Sequence, residues 1–288
     1  MLKDGQYVET FSDLSKITND DLVRSMVGRN LGDIYHYRSR EVGETRLKLT
    51  ALSGTKLKGN FNLEVKAGEV LGLFGLVGAG RSELLKVIFG ADPSTAGKIE
   101  LDGKEISVRT PKDAIQQGIV LCPEDRKKEG IIPTATVGEN INISARRSHN
   151  FLKFIINDKW ETENAEKQRQ QMNVKTPSIE QLIVNLSGGN QQKAILGRWL
   201  SEDIKVLLLD EPTRGIDVGA KSEIYDLIFK LADEKLAIIV VSSDLPEVIG
   251  VADRIVVMKA HEITGVVERA DATEEKVLKL AMVNNKAA

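Results

Sequence analysis

The sequence predicts an α/β fold built on a mostly parallel core sheet, with an antiparallel β subdomain and a helical insert. Three observations predict it. Short β-branched runs are apolar at consecutive positions rather than alternating ones, the mark of strands covered on both faces. Helix-patterned stretches fall between those runs, which is the rhythm of crossover connections in a parallel sheet. Asp102-Gly103 separates Lys98-Ile99-Glu100-Leu101 from Lys104-Glu105-Ile106, a two-residue turn that joins neighbouring antiparallel strands.

Taken in order, residues 46–70 and 97–109 read as the antiparallel part. Val70-Leu71-Gly72-Leu73-Phe74 is the first buried strand, and a helix follows over Ser82 to Phe89. Ile119-Val120-Leu121 is the next strand. The helical insert spans about 133–190; within it Glu161 to Gln171 is nearly all hydrophilic. A helix over Gln191 to Leu200, a strand over Val206 to Leu209 and a helix over Lys221 to Ala232 come next. The strands Ala237 to Val241 and Ile255 to Met258 complete the pattern. The two ends carry a weak repeat: Lys3 with Met26-Val27 is spaced like Lys259 with Met282-Val283, and residues 18–23 echo 273–278. One reading is coincidence between two amphipathic tails. The other makes 1–45 the tail of a preceding copy of the same domain plus a linker, with 46–288 the domain itself.

Composition narrows the classes of function. The chain has 288 residues, enough for one large domain or two modest ones. Lys and Arg total 40 against 42 Asp and Glu, a net charge of −2, which argues against bulk capture of nucleic acid. Cys122 is the only cysteine, which excludes an intramolecular disulfide and a cysteine-based metal cluster and fits a reducing cytosol. No apolar stretch follows Met1-Leu2-Lys3-Asp4-Gly5, so no secretory signal is expected. No run approaches the roughly 20 apolar residues of a spanning helix, so docking on a membrane protein is the expected route to a membrane.

Three motifs carry chemistry. Gly75-Leu76-Val77-Gly78-Ala79-Gly80-Arg81-Ser82 lies between a strand and a helix, where backbone N–H groups curl around phosphate oxygens and the helix start adds favourable potential. Arg81 stands where such loops carry lysine, and keeps the charge on a broader, planar group. The plainer reading is a tight turn without a ligand. Second, the apolar strand Val206 to Leu209 runs into Asp210-Glu211-Pro212. Buried acids cost several kcal/mol unless they have partners; Asp210 suits a Mg²⁺ contact and Glu211 a general base that polarises water. The plainer reading is a strand end with two solvated acids. Third, Ser187-Gly188-Gly189-Asn190-Gln191 opens a helix, as an anion site or as a simple cap at Ser187. His36, His149 and His261 share no spacing and read as surface or loop residues. The charge run Asp125-Arg126-Lys127-Lys128-Glu129 reads as a solvated turn or as a docking segment.

In this order and spacing the three motifs resemble those of ATP-binding cassette (ABC) ATPases. The resemblance implies ATP and Mg²⁺ as ligands. It assigns nucleotide binding to Gly75, Gly78, Ala79, Gly80, Arg81, Ser82 and Glu124, the metal to Ser82 and Asp210, and catalysis to Glu211. Ser187, Gly188, Gly189 and Gln191 match the family's signature, which grips ATP held by a companion ABC domain. Asp217 matches the D-loop aspartate; Glu124 stands at the usual Q-loop glutamine and Ser243 at the switch histidine. No aromatic lies between Tyr37 and Phe61, where the family stacks adenine. Arg81, the intact Leu186-Ser187-Gly188-Gly189, the run from Asp210 to Ala220 and Ser243 together are similar to the second nucleotide-binding domain of bacterial monosaccharide importers. Residues 121–127, 142–147 and 192–200 resemble the arabinose-importing members most. The resemblance implies a transport-coupled ATP hydrolase, weak in isolation, peripheral on the cytoplasmic face of the inner membrane. Its partners would be another ABC domain, membrane permease subunits and, indirectly, a periplasmic sugar-binding protein, with no nucleic acid. Two alternatives stay open: a soluble ABC ATPase outside transport, and a nucleotide-binding regulatory module without turnover.

Overall fold

Two sheets with a helix between them carry the domain. The structure, a computed structural model, describes residues 2–3, 6–7, 10, 35–149 and 156–282. Strands β1 (Leu2–Lys3) and β2 (Gln6–Tyr7) form a short antiparallel pair. Strands β3 (Thr45–Gly54), β4 (Phe61–Lys66), β6 (Ser94–Leu101) and β7 (Lys104–Ile106) make an antiparallel sheet in the order β4-β3-β6-β7. The expected hairpin is present: Asp102 and Gly103 have φ of 49° and 74°, the doubly left-handed turn that matches strand twist.

The larger sheet holds β5 (Val70–Phe74), β8 (Ile119–Cys122), β9 (Val206–Asp210), β10 (Ala237–Val241), β11 (Arg254–Lys259) and β12 (Glu262–Glu268), in the order β12-β11-β5-β10-β9-β8. All neighbours but β11 and β12 run parallel. β5, β8, β9 and β10 are buried at every position, as their unbroken apolar runs require. β12 escaped the sequence pattern because it is an edge strand with a single buried position, Val267.

Helix α1 (Arg81–Ile88) buries Leu84, Leu85, Val87 and Ile88 between the sheets, beside Leu47, Leu49, Phe61 and Leu208. Helix α2 (Pro111–Gln116) precedes β8. The insert contains α3 (Val137–Asn142), α4 (Arg146–His149) and α5 (Asp158–Gln171), and leads into α6 (Gly188–Trp199). α5 buries only Ala165 and Gln168, so its position depends on the α3 and α6 faces it covers. Helices α7 (Val218–Asp233), α8 (Leu245–Val251) and α9 (Glu274–Met282) follow. α6 and α7 start about a turn before their apolar pattern does, because their caps, Ser187 and Asp217, are polar.

α3 opens on a reciprocal cap: Thr136 Oγ1 accepts from Glu139 N at 3.1 Å and Glu139 Oε2 from Thr136 N at 2.8 Å. Thr136→Ala is therefore expected to lower stability by about 1 kcal/mol, read as a shifted urea midpoint at unchanged slope.

Most of the segment expected to be a foreign tail, including the 18–23 echo, lies outside the described residues. Its end is seated on the domain. The Tyr35 ring centroid is 5.0 Å from that of Tyr225, and Tyr37 Oη donates to Asp253 Oδ1 at 2.8 Å. The Arg269 guanidinium carbon lies 3.3 Å from the Tyr37 ring centroid. Among the described residues no helix is long and apolar enough to cross a membrane.

Candidate functional site

The parallel register sets Leu73, Val241 and Asp210 side by side on β5, β10 and β9. The segments leaving the carboxyl ends of these strands therefore meet in one crevice, the usual ligand position in an open α/β sheet. They are residues 75–82, 210–211 and 242–243.

The loop from Gly75 to Gly80 leaves buried Phe74 and enters α1. Gly78 and Gly80 have φ of 81° and 95°, a region that costs other residues about 1–2 kcal/mol. Val77 is 97% exposed, while Ala79 and Gly80 are buried. His261, expected on a surface or loop, sits in the β11–β12 turn against this segment. Its N–H donates to Ala79 O at 2.9 Å, and a Cβ on Gly80 would lie 2.6 Å from its Nδ1. Nothing in the sequence marked this contact, which exists only because β11 lies beside β5.

Asp210 is 2% exposed, and its Oδ1 has no protein partner among the described residues. Burial pushes its carboxyl upward, opposed by the Ser82 hydroxyl hydrogen-bonded to it and by Arg81. Glu211 has φ of 48°, an uncommon backbone for a non-glycine residue, and its N–H donates to Val241 O at 2.9 Å. Burial raises its carboxyl too, opposed first by the Ser243 hydroxyl, which donates to Oε2 at 3.1 Å. A carboxyl raised in this way holds a proton more readily than a solvated one does.

Arg81 is turned toward these residues. Nη1 donates to Ser242 O at 2.7 Å, and Nη2 stands 3.9 Å from Glu211 Oε1. A buried carboxylate stiffens the same turn: Glu247 accepts from Ser242 Oγ at 2.5 Å and from Thr213 Oγ1 at 2.7 Å. Sequence reasoning missed Glu247, which carries a helix-like spacing and no motif of its own.

The remaining expected residues gather at a second centre. Ser187 stands at the N-cap position of α6 without a side-chain hydrogen bond to the helix backbone; its Oγ accepts from Asn190 Nδ2 at 3.0 Å, and Asn190 Oδ1 accepts from Lys175 N at 2.8 Å. Gly188 borders Gly215 O, and Gly189 borders Ala220. Gln191 is buried and donates to Ile183 O and Leu186 O, each at 3.2 Å, so its side chain braces the loop. Asp217 Oδ1 accepts from Ala220 N at 2.9 Å, capping α7. Glu124 forms an ion pair with Arg214. No hydrogen bond or ion pair among the described residues joins Ser187, Gly188 or Gly189 to residues 75–82. The chain thus holds a glycine-rich loop beside two acids at one centre and the start of α6 at another.

Comparison with known proteins gives the family. The ABC transporter family profile matches residues 59–214. The arabinose import ATP-binding protein AraG of Mannheimia succiniciproducens is 87% identical over 99% of the chain. The AraG of Pectobacterium atrosepticum is 58% identical over 98%. The chain spans 57% and 56% of these two curated relatives. A nucleotide-free ATP-binding cassette of an ABC transporter matches in fold, with TM-score 0.70, 20% identity, 84% of this chain and 100% of the other. The CbiO1 structure of Clostridium perfringens gives TM-score 0.67 and 23% identity over 82% and 93%. With this profile over more than half of its length and relatives of this identity, the chain belongs to the ABC transporter family of ATP-binding cassettes.

Proposed function

We propose that this chain is an ATP-binding cassette that hydrolyses ATP to energise import of a monosaccharide, arabinose by the names of its relatives. The observation that carries the catalytic part is Glu211, half-buried beside Asp210 and held by Ser243 at the mouth of the phosphate loop. The amides of residues 75–82 and Arg81 bind the phosphates of the chain's own nucleotide. Ser82 and Asp210 fit Mg²⁺: one is a hydroxyl, the other a buried carboxylate with an oxygen to spare. Among the described residues no three His, Cys, Asp or Glu converge, as suits a cation that takes most of its ligands from phosphate and water. When bound there, the ion would neutralise charge on the phosphates. Glu211 accepts a proton from the attacking water and orients it.

Ser187, Gly188 and Gly189 complete the site of a companion cassette, a reading supported by their match to the family signature and by their having no hydrogen bond to the chain's own loop among the described residues. In this reading residues 1–45 end a preceding cassette and 46–288 form the second one of a tandem subunit. That subunit would lie on the cytoplasmic face of the inner membrane, against permease subunits and, through them, a periplasmic sugar-binding protein. Glu124 would sense both the nucleotide and the permease side.

Turnover is expected to be slow in the isolated chain and to rise when the companion cassette is added. Vigorous turnover by the chain alone would contradict the shared-site reading. Arg81 favours a second reading, a site that binds without hydrolysing, because its guanidinium is already spent on Ser242 O. Arg81→Lys frees Ser242 O and is expected to raise own-site turnover several-fold, measured as phosphate release. No gain, together with tight nucleotide binding, would support the non-hydrolytic reading.

A further inference from the structure

We infer that Arg126 is a positioning residue for the companion-facing site, a role that rests on the reading of Ser187–Gly189 above. Arg126 begins the short π-helical turn Arg126–Gly130, just beyond Glu124. Its guanidinium reaches two other segments at once, through three acceptors. Nη1 donates to Arg214 O at 2.6 Å, Nη2 to Gly215 O at 3.1 Å, and Nε to Gln191 Oε1 at 3.4 Å. All three acceptors are neutral, and among the described residues no carboxylate forms an ion pair with it.

The start of α6 rests directly on this group: a Cβ on Gly188 would collide with Arg126 Nη2. The contact is reciprocal, since Arg214 pairs back with Glu124. Two arginines therefore cross between the strand ends of β8 and β9, around a cleft of about 230 Å³ lined by Glu124, Asp125, Arg126, Lys127 and Arg214. The rigid fork of Arg126 sets the distance between the segment after β9 and the first turn of α6. The Glu124 segment cannot shift without carrying Gly188 and residues 214–217 with it. A lysine offers a point charge with no fork and cannot hold both carbonyls and the Gln191 amide together.

The test uses Arg126→Gln and Arg126→Lys. Two quantities are read: the KM for ATP with the companion cassette present, and the affinity of the isolated chain's own loop for a fluorescent ATP analogue. Arg126→Gln is expected to raise the KM of the pair about 10-fold, the loss of an interaction with a charged hydrogen-bond donor. Arg126→Lys should fall between it and the parent chain, and own-site affinity should change less than about 2-fold in both variants, because Arg126 touches none of residues 75–82. A parallel fall in own-site affinity overturns the inference, since it would mark general damage to the fold. A KM unchanged in Arg126→Gln but raised in Ser187→Arg overturns the role of Arg126 alone. A KM unchanged in both overturns the reading of Ser187–Gly189 itself, and the inference with it.

Discussion

Glu211→Gln lowers turnover at this chain's own site by about 10²–10⁴-fold, a barrier increase of about 3–5 kcal/mol. The amide keeps the shape of the side chain, and its oxygen still accepts from Ser243 Oγ. It cannot take a proton from water. The substitution also removes a charge that burial opposes, so the fold is not expected to suffer. Nucleotide affinity should hold or rise, since Glu211 stands beside the phosphate loop and repels phosphate. The measurement is single-turnover phosphate release by the chain with a companion whose own catalytic acid is likewise made an amide. Retention of more than half the rate would remove Glu211 from the chemistry.

Gly80→Ala carries the largest expected cost in stability, about 2–5 kcal/mol from two separable sources. The first is backbone strain, because φ at Gly80 is 95°. The second is collision, because the new methyl would lie 2.6 Å from His261 Nδ1 and 3.1 Å from its Cγ. A double-mutant cycle separates them. Adding His261→Ala removes the ring and should recover about 1–3 kcal/mol while leaving the strain. Chemical denaturation of the four proteins gives both values. Nucleotide affinity should fall with Gly80→Ala even where the fold survives, because the N–H groups at 79–81 are displaced. Equal stability of Gly80→Ala and the parent chain would mean that the β11–β12 turn does not press on the phosphate loop.

Much of this was legible in the chain, and the reason is local. The runs at 70–74, 206–209 and 237–241 are apolar at every position because each strand is covered on both sides, so burial leaves a continuous trace. Asp102-Gly103 showed its hairpin because two successive residues there take a left-handed conformation. The glycine-rich turn before α1 and the acids ending β9 were visible for the same reason: backbone geometry and buried charge constrain neighbouring residues. β12 left no such trace, and neither did the seating of Tyr35 and Tyr37 on α7 and the segment after α8. Those depend on surfaces supplied by distant parts of the chain.

By itself, then, the order of residues determined where the glycine-rich turn and the strand ending in acids lie, since each needs particular residue types at adjoining positions. Only the tertiary structure decided where each side chain spends its hydrogen bonds. It turned Arg81 to Ser242, buried Gln191 as a brace, brought His261 beneath Gly80 and crossed Arg126 with Arg214. A long side chain reaches several angstroms in any of many rotamers. Which partner it meets is set by strands and turns far from it in the chain, and that pairing has no local pattern to read.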